Sequence, residues 1–96
     1  MLEIKPNCES CGIGLPANST DAMICSYECT YCTRCAQNLL HNICPNCGGG
    51  FEKRPIRTEA GLKKHPAGTE QAKPGVDQDQ HLEYLRQYRG MPPERR

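Results

Sequence analysis

Eight cysteines lie between Cys8 and Cys47, and the following half of the chain has none. They form four close pairs: Cys8–Cys11, Cys25–Cys29, Cys32–Cys35 and Cys44–Cys47. Three are Cys-x-x-Cys and one is Cys-x-x-x-Cys. So short a spacing lets a tight turn aim both sulfurs at one ion, with backbone N–H groups left to point at them. Zinc favours four such thiolates in a tetrahedron. Four pairs therefore make two closed sites, with no position open to water or substrate, and the metal they imply is structural.

Composition shows why a metal is needed. Hydrophobic residues are 36% of the 96 residues, but that figure includes the cysteines, and beside them stand a single Phe and no Trp. A chain this short buries a small share of its surface and needs a staple. A structural zinc site supplies roughly 10–16 kcal/mol of apparent binding energy near neutral pH, and that energy is also folding energy. The cysteine module is expected to be unfolded without metal.

An even number of cysteines also permits disulfides. Met1-Leu2-Glu3-Ile4-Lys5-Pro6 has no basic start followed by an apolar run, so no secretory signal is read. No stretch approaches the ~20 apolar residues of a membrane span. The expectation is a cytoplasmic protein in a reducing compartment, where clustered thiols bind metal. An iron–sulfur alternative rests on Cys29-x-x-Cys32-x-x-Cys35 followed by Cys44-Pro45. Eight residues separate Cys35 from Cys44, however, where the ferredoxin run has about three.

Two pairing schemes are open. In the sequential one, the first two pairs hold one zinc and the last two the other. In the cross-braced one, Cys8, Cys11, Cys32 and Cys35 share one ion, and Cys25, Cys29, Cys44 and Cys47 share the second. Only two residues separate Cys29 from Cys32, so the chain passes directly from one site to the next, which favours cross-bracing.

The organisation follows. Residues 1–7 are a lead-in, residues 8–54 the two-zinc module, 55–76 a flexible linker rich in Pro, Gly, Lys and Glu, and 77–96 a short C-terminal helix and tail. Within the module, residues 21–27 read as a strand, Thr33 to Leu40 as a short helix capped by Thr33, Cys44–Gly50 as a tight turn, and 51–54 as a closing strand. That helix is expected to pack Leu39, Leu40 and Ile43 against Ile24 and Tyr27. In the tail, Asp77 or Asp79 would cap a helix that Gly90 and Pro92-Pro93 stop. Its Leu82, Tyr84, Leu85 and Tyr88 read as an internal docking stripe. The expected fold class is a small metal-dominated α+β module.

The order of the cysteines resembles a RING finger with cysteine at all eight ligand positions. More narrowly, Pro6-Asn7-Cys8-Glu9-Ser10-Cys11, Ile24-Cys25-Ser26-Tyr27-Glu28-Cys29-Thr30-Tyr31-Cys32 and Cys44-Pro45-Asn46-Cys47-Gly48-Gly49 resemble a family of short bacterial proteins, catalogued as domain of unknown function 1272. The likeness covers roughly residues 5–56. It implies a RING-like, treble-clef zinc fold and supplies no activity. RING ligases usually carry an aliphatic residue inside the first pair and a basic one after the last ligand; here Glu9, Ser10 and Gly48 stand there. Ubiquitin transfer is accordingly the remotest of the readings, since a fold does not fix a function.

Function is read from what remains. Net charge is +1, but between Cys8 and Cys47 Arg34 stands alone against Glu9, Asp21 and Glu28, and most of the basic residues follow that stretch. Lys53, Arg54, Arg57, Lys63 and Lys64 could meet phosphates, yet no aromatic residues interleave with them. His41 precedes Cys44 by three positions and reads as a helix-end residue rather than a ligand; His65 and His81 are expected in solvent. No paired carboxylates or activated serine is found, so no enzyme is expected. The expectation is a monomeric protein-interaction scaffold holding two Zn²⁺ and displaying loops 12–24 and 36–43, with nucleic-acid binding through the basic tail as the alternative.

Overall fold

The computed structural model describes residues 1–96. Ala22, Met23 and Ile24 form the short strand β1 (Ala22–Ile24), which pairs on both sides. On one side lies β2 (Thr30–Cys32), antiparallel, with Ala22 opposite Cys32 and Ile24 opposite Thr30. On the other lies β3 (Glu52–Lys53), also antiparallel, with Met23 opposite Lys53. The β1–β2 hairpin loop is the second cysteine pair itself. Cys25 N–H reaches Cys29 O at 3.1 Å, and Glu28 takes a left-handed φ of 67° to close the turn.

The helix expected over Thr33 to Leu40 takes a different form. Residues Cys35–Leu39 make a wide π-type turn in which Leu40 N–H bonds Cys35 O at 2.8 Å. Thr33 does not cap it. Its N–H and Oγ1 both donate to Asp21 O, at 2.9 and 3.0 Å, and so extend the β1–β2 pairing. Leu40 and Ile43 are buried as expected, but Leu39 and Tyr27 are exposed at 52% and 75%. The wider turn leaves Leu39 outside.

The core sits between the cysteine clusters. Tyr31 and Phe51 meet edge to face, ring centroids 5.2 Å apart, with Leu15, Ala22, Ala36 and Leu40 around them. Arg54 is buried beside this core rather than solvated. Its guanidinium donates to the carbonyls of Lys5, Leu15 and Pro16 at 2.8–3.1 Å. That grip ties the lead-in and the loop after Gly14 to the end of β3. Because carbonyls take the charge, no carboxylate is needed; burial lowers its pKa from the ordinary arginine value.

Beyond the module the chain folds back. Thr58 caps a six-residue helix, α1 (Glu59–Lys64), by accepting Gly61 N–H at 3.0 Å, an element not expected within 55–76. Residues 68–75 then run beside the lead-in. Gly68 N–H bonds Ile4 O, Gly75 N–H bonds Glu9 O, and the buried Asn7 amide makes two bonds with the Ala72 backbone, at 3.0 and 2.9 Å. Asn7 thus acts as one rung of a strand pair. The second helix, α2 (Gln78–Tyr88), starts where Asp77 accepts Gln80 N–H.

α2 docks through part of the expected stripe, with Tyr84, Leu85 and Tyr88 half-buried, and His81, expected in solvent, joins them. His81 is buried and Tyr84 and Tyr88 stack on each other at 5.9 Å, while Leu82 stays 55% exposed. The surface it meets explains this. Gly48 offers no side chain, and a Cβ there would lie 2.8 Å from the Tyr88 ring and 3.1 Å from that of Tyr84. The flat patch accepts rings, and the Leu40 carbonyl, which takes Ile43 N–H at 3.0 Å, accepts a second hydrogen bond from His81 Nε2 at 2.9 Å. No helix is long and apolar enough to cross a membrane.

Candidate metal centres

The first and last cysteine pairs are built on one plan. Cys8 N–H bonds Ile13 O and Gly12 N–H bonds Cys8 O; in the same way Cys44 N–H bonds Gly49 O and Gly48 N–H bonds Cys44 O. Each turn needs a left-handed residue just after its second cysteine, and Gly12 (φ 84°) and Gly48 (φ 77°) fill that place, where a side chain would be strained. The middle pairs sit on the hairpin: Cys25 and Cys29 bracket its loop, Cys32 ends β2, and Cys35 opens the π-type turn.

These elements bring the first pair to the third and the second to the fourth. The sulfurs of Cys8, Cys11, Cys32 and Cys35 all lie within 4.8 Å of one another, with Cys11 and Cys32 3.8 Å apart. In the second group Cys25, Cys44 and Cys47 lie within the same distance. Cys29 is not that close to all three, but its sulfur accepts Asn46 Nδ2–H, from the turn between Cys44 and Cys47, at 3.3 Å. The separations match four-thiolate coordination, since Zn–S bonds of ~2.3 Å give a tetrahedral edge of roughly 3.8 Å. No histidine joins either group, so His41 is not among the candidate ligands.

Four of the eight sulfurs accept a hydrogen bond from a donor other than a thiol. In the first cluster, Ser10 and Cys11 N–H point at Cys8. In the second, Tyr27 N–H points at Cys25, Asn46 Nδ2 at Cys29, and Gly49 N–H at Cys47. Such donors stabilise thiolate over thiol. For Cys8, Cys25 and Cys47 the donor comes from the cysteine's own turn or its flank, so the folding of these pairs builds part of their environment.

Crowding splits the thiols. Cys11 is lowered to about 7, chiefly by Ile13 N–H, and Cys29 to about 5, chiefly because the Cys44 thiol donates to it. Their neighbours move the other way: burial pushes Cys25 up to about 11 and Cys35 up to about 12 and raises Cys32, and Cys44 rises as it donates to Cys29. Two thiolates at this range repel by about 4 kcal/mol at an effective dielectric constant near 20. Four of them can ionise together only around a cation. The geometry thus defines two cysteine clusters able to hold metal ions, with soft sulfur donors consistent with zinc.

Sequence reasoning missed Gly12, Gly48, Ser10 and Asn46, the residues that shape and polarise the clusters. A signal for the glycines was present, since Gly directly follows Cys11 and Cys47.

The fold and its centres define a class: a small cysteine-rich α+β module with two clusters of metal-ligating type. Within that class, residues 1–57 match the model of a family described as protein of unknown function, DUF1272, and the chain belongs to that family. It is also similar to an uncharacterized protein of Rhizobium meliloti (strain 1021), 54% identical over 69 residues, which cover 72% of this chain and 82% of the relative. No solved structure matches it.

Proposed function

We propose that the chain is a structural zinc module that serves as a protein-interaction scaffold. Two Zn²⁺ would be held in cross-braced, RING-like fashion, one by Cys8, Cys11, Cys32 and Cys35 and the other by Cys25, Cys29, Cys44 and Cys47. The observation that carries this reading is the gathering of the Cys8, Cys11, Cys32 and Cys35 sulfurs within 4.8 Å of one another, beside a second such group of Cys25, Cys44 and Cys47. Four sulfurs close each site, which favours a structural metal and a role in binding rather than catalysis. Cytoplasmic location accords with reduced cysteines.

A protein partner is favoured over nucleic acid by two features. Ile13 and Leu39, on the displayed loops, are exposed at 53% and 52%. Of the basic side chains after Cys47, Arg54 is buried and Arg57 donates to the carbonyls of Leu2 and His65, so both are spent on the fold. Ubiquitin transfer has no supporting contact: Glu9 accepts Lys5 Nζ at 3.3 Å where a ligase would present an aliphatic side chain.

Native mass spectrometry of the reduced protein tests the metal reading. Two zinc ions per chain are expected, lost with chelator together with the circular-dichroism signal of the fold. A protein that keeps its fold after every divalent ion is stripped, or that purifies brown with iron and sulfide, overturns it. For the scaffold reading, capture of a protein partner should survive moderate salt, whereas binding that collapses steeply with salt points to phosphates.

A further inference from the structure

Three of the surface cavities, of about 340, 320 and 330 Å³, share one residue, Leu85. Together they form a groove along the outer face of α2 and down onto the segment after Cys35. Its floor is apolar: Leu39, Leu40, Ile43, Val76, Leu82 and Leu85. Its rim is cationic, with Arg86, Arg89 and Arg96 beside His41. No Asp or Glu lines any of the three cavities.

The groove exists because α2 docks by His81, Tyr84 and Tyr88, which turns Leu82 outward and leaves Leu85 half-buried. Leu82 is 55% exposed and Leu39, across the groove, 52%. Exposed apolar surface rimmed by polar groups marks interaction sites. Arg86 reaches Glu83 at 3.1 Å, but both side chains are more than two-thirds exposed, and such a pair is worth about 0–1 kcal/mol. Both arginines of α2 therefore remain available to a stronger carboxylate partner.

We propose that this groove binds an acidic amphipathic segment of a partner protein, whose leucine-type side chains seat over Leu85 and whose carboxylates meet Arg86 and Arg89. The proposal rests on the scaffold reading and names the surface and the chemistry of its partner. Charge complementarity selects the occupant. A second copy of this chain would bring its own arginines against these. Nucleic acid would find no free ring to stack on, since Tyr88 lies on Tyr84 and over Gly48.

The test uses the full zinc-loaded chain and a dye-labelled helical peptide of α2's length, with leucines at i, i+3, i+4 and i+7 and glutamates elsewhere. Its twin carries lysines for glutamates. Fluorescence anisotropy should show saturable binding of the acidic peptide, with the lysine twin weaker by about tenfold or more. Leu82→Asp and Arg89→Glu should each weaken it by about tenfold, while Ile13→Asp leaves it unchanged. Equal affinity for the twins, no saturable binding of the acidic peptide, or preference for a single-stranded oligonucleotide probe overturns the proposal. So does indifference to Leu82→Asp and Arg89→Glu. Zinc content is measured on the same samples. Two zinc ions per chain without peptide binding sink the groove alone, whereas missing zinc sinks the module reading beneath it.

Discussion

His81 Nε2 lies 2.9 Å from Leu40 O, a buried hydrogen bond that joins α2 to the segment between the third and fourth cysteine pairs. The Leu40 carbonyl also accepts Ile43 N–H at 3.0 Å, so losing His81 removes one of its two hydrogen bonds, a contribution of about 0.5–1.5 kcal/mol. His81→Ala should therefore loosen α2 without releasing metal. Amide exchange over residues 78–88 is expected to quicken by about tenfold or more, with two zinc ions still bound. Unchanged protection would show that the tyrosine contacts with Gly48 hold the helix by themselves.

The two clusters predict which cysteines fail together. With cobalt in place of zinc, Cys11→Ala and Cys32→Ala should perturb the same thiolate-to-cobalt absorption band and leave the other site loaded. Cys44→Ala should affect the complementary band. If Cys11→Ala and Cys32→Ala act on different sites, the pairing follows chain order instead.

Metal loading should release protons. In the first cluster Cys32 is raised above its ordinary value and Cys35 pushed up to about 12; in the second Cys25 is at about 11 and Cys44 is raised. At neutral pH these thiols are protonated without metal, so each ion must displace at least two protons. Affinity then rises with pH, by about a hundredfold per unit in the range where both remain protonated, and is lost as pH falls. Calorimetry in buffers of different ionisation enthalpy measures the count. Release of fewer than two protons per ion would contradict these shifts.

Arg54 should tolerate no shortening. Its guanidinium holds three carbonyls from residues 38 to 49 positions away in sequence. Each hydrogen bond involving a charged group is worth about 1.5–3 kcal/mol. Arg54→Ala leaves those carbonyls and a cavity behind, and a loss of about 3 kcal/mol or more is expected in denaturation of the zinc-loaded protein. Arg54→Lys, with one compact ammonium, should recover part of it. A melting temperature unchanged from the parent would show that the core does not need the clamp.

Much of this was legible because the chemistry is local. A Cys-x-x-Cys turn brings its sulfurs together through a handful of dihedral angles, so the pairs could be read from spacing alone. The start of α2 was legible for the same reason: Asp77 needs only the amide three residues on. β1 and β3 were foreseen as strands but are shorter than the ranges 21–27 and 51–54, and β2 over Thr30–Cys32 was not foreseen. Residues 25 and 29 leave the ladder to build the hairpin loop, and β3 pairs with β1 over only two residues.

The amino-acid order by itself determined that the module is organised around clustered thiols, because eight cysteines with so few apolar neighbours leave little else to stabilise it. Tertiary structure alone decided the fates of Arg54, His81 and Leu82. Composition reads a basic side chain as solvated, a tail histidine as exposed and Leu82 as docked with Tyr84, Leu85 and Tyr88. Each reading fails where a distant backbone group intervenes: three carbonyls draw Arg54 inward, the Leu40 carbonyl claims His81, and the bare surface at Gly48 favours tyrosine rings. Those partners lie tens of residues away, and no local pattern reports which carbonyl a distant side chain will reach.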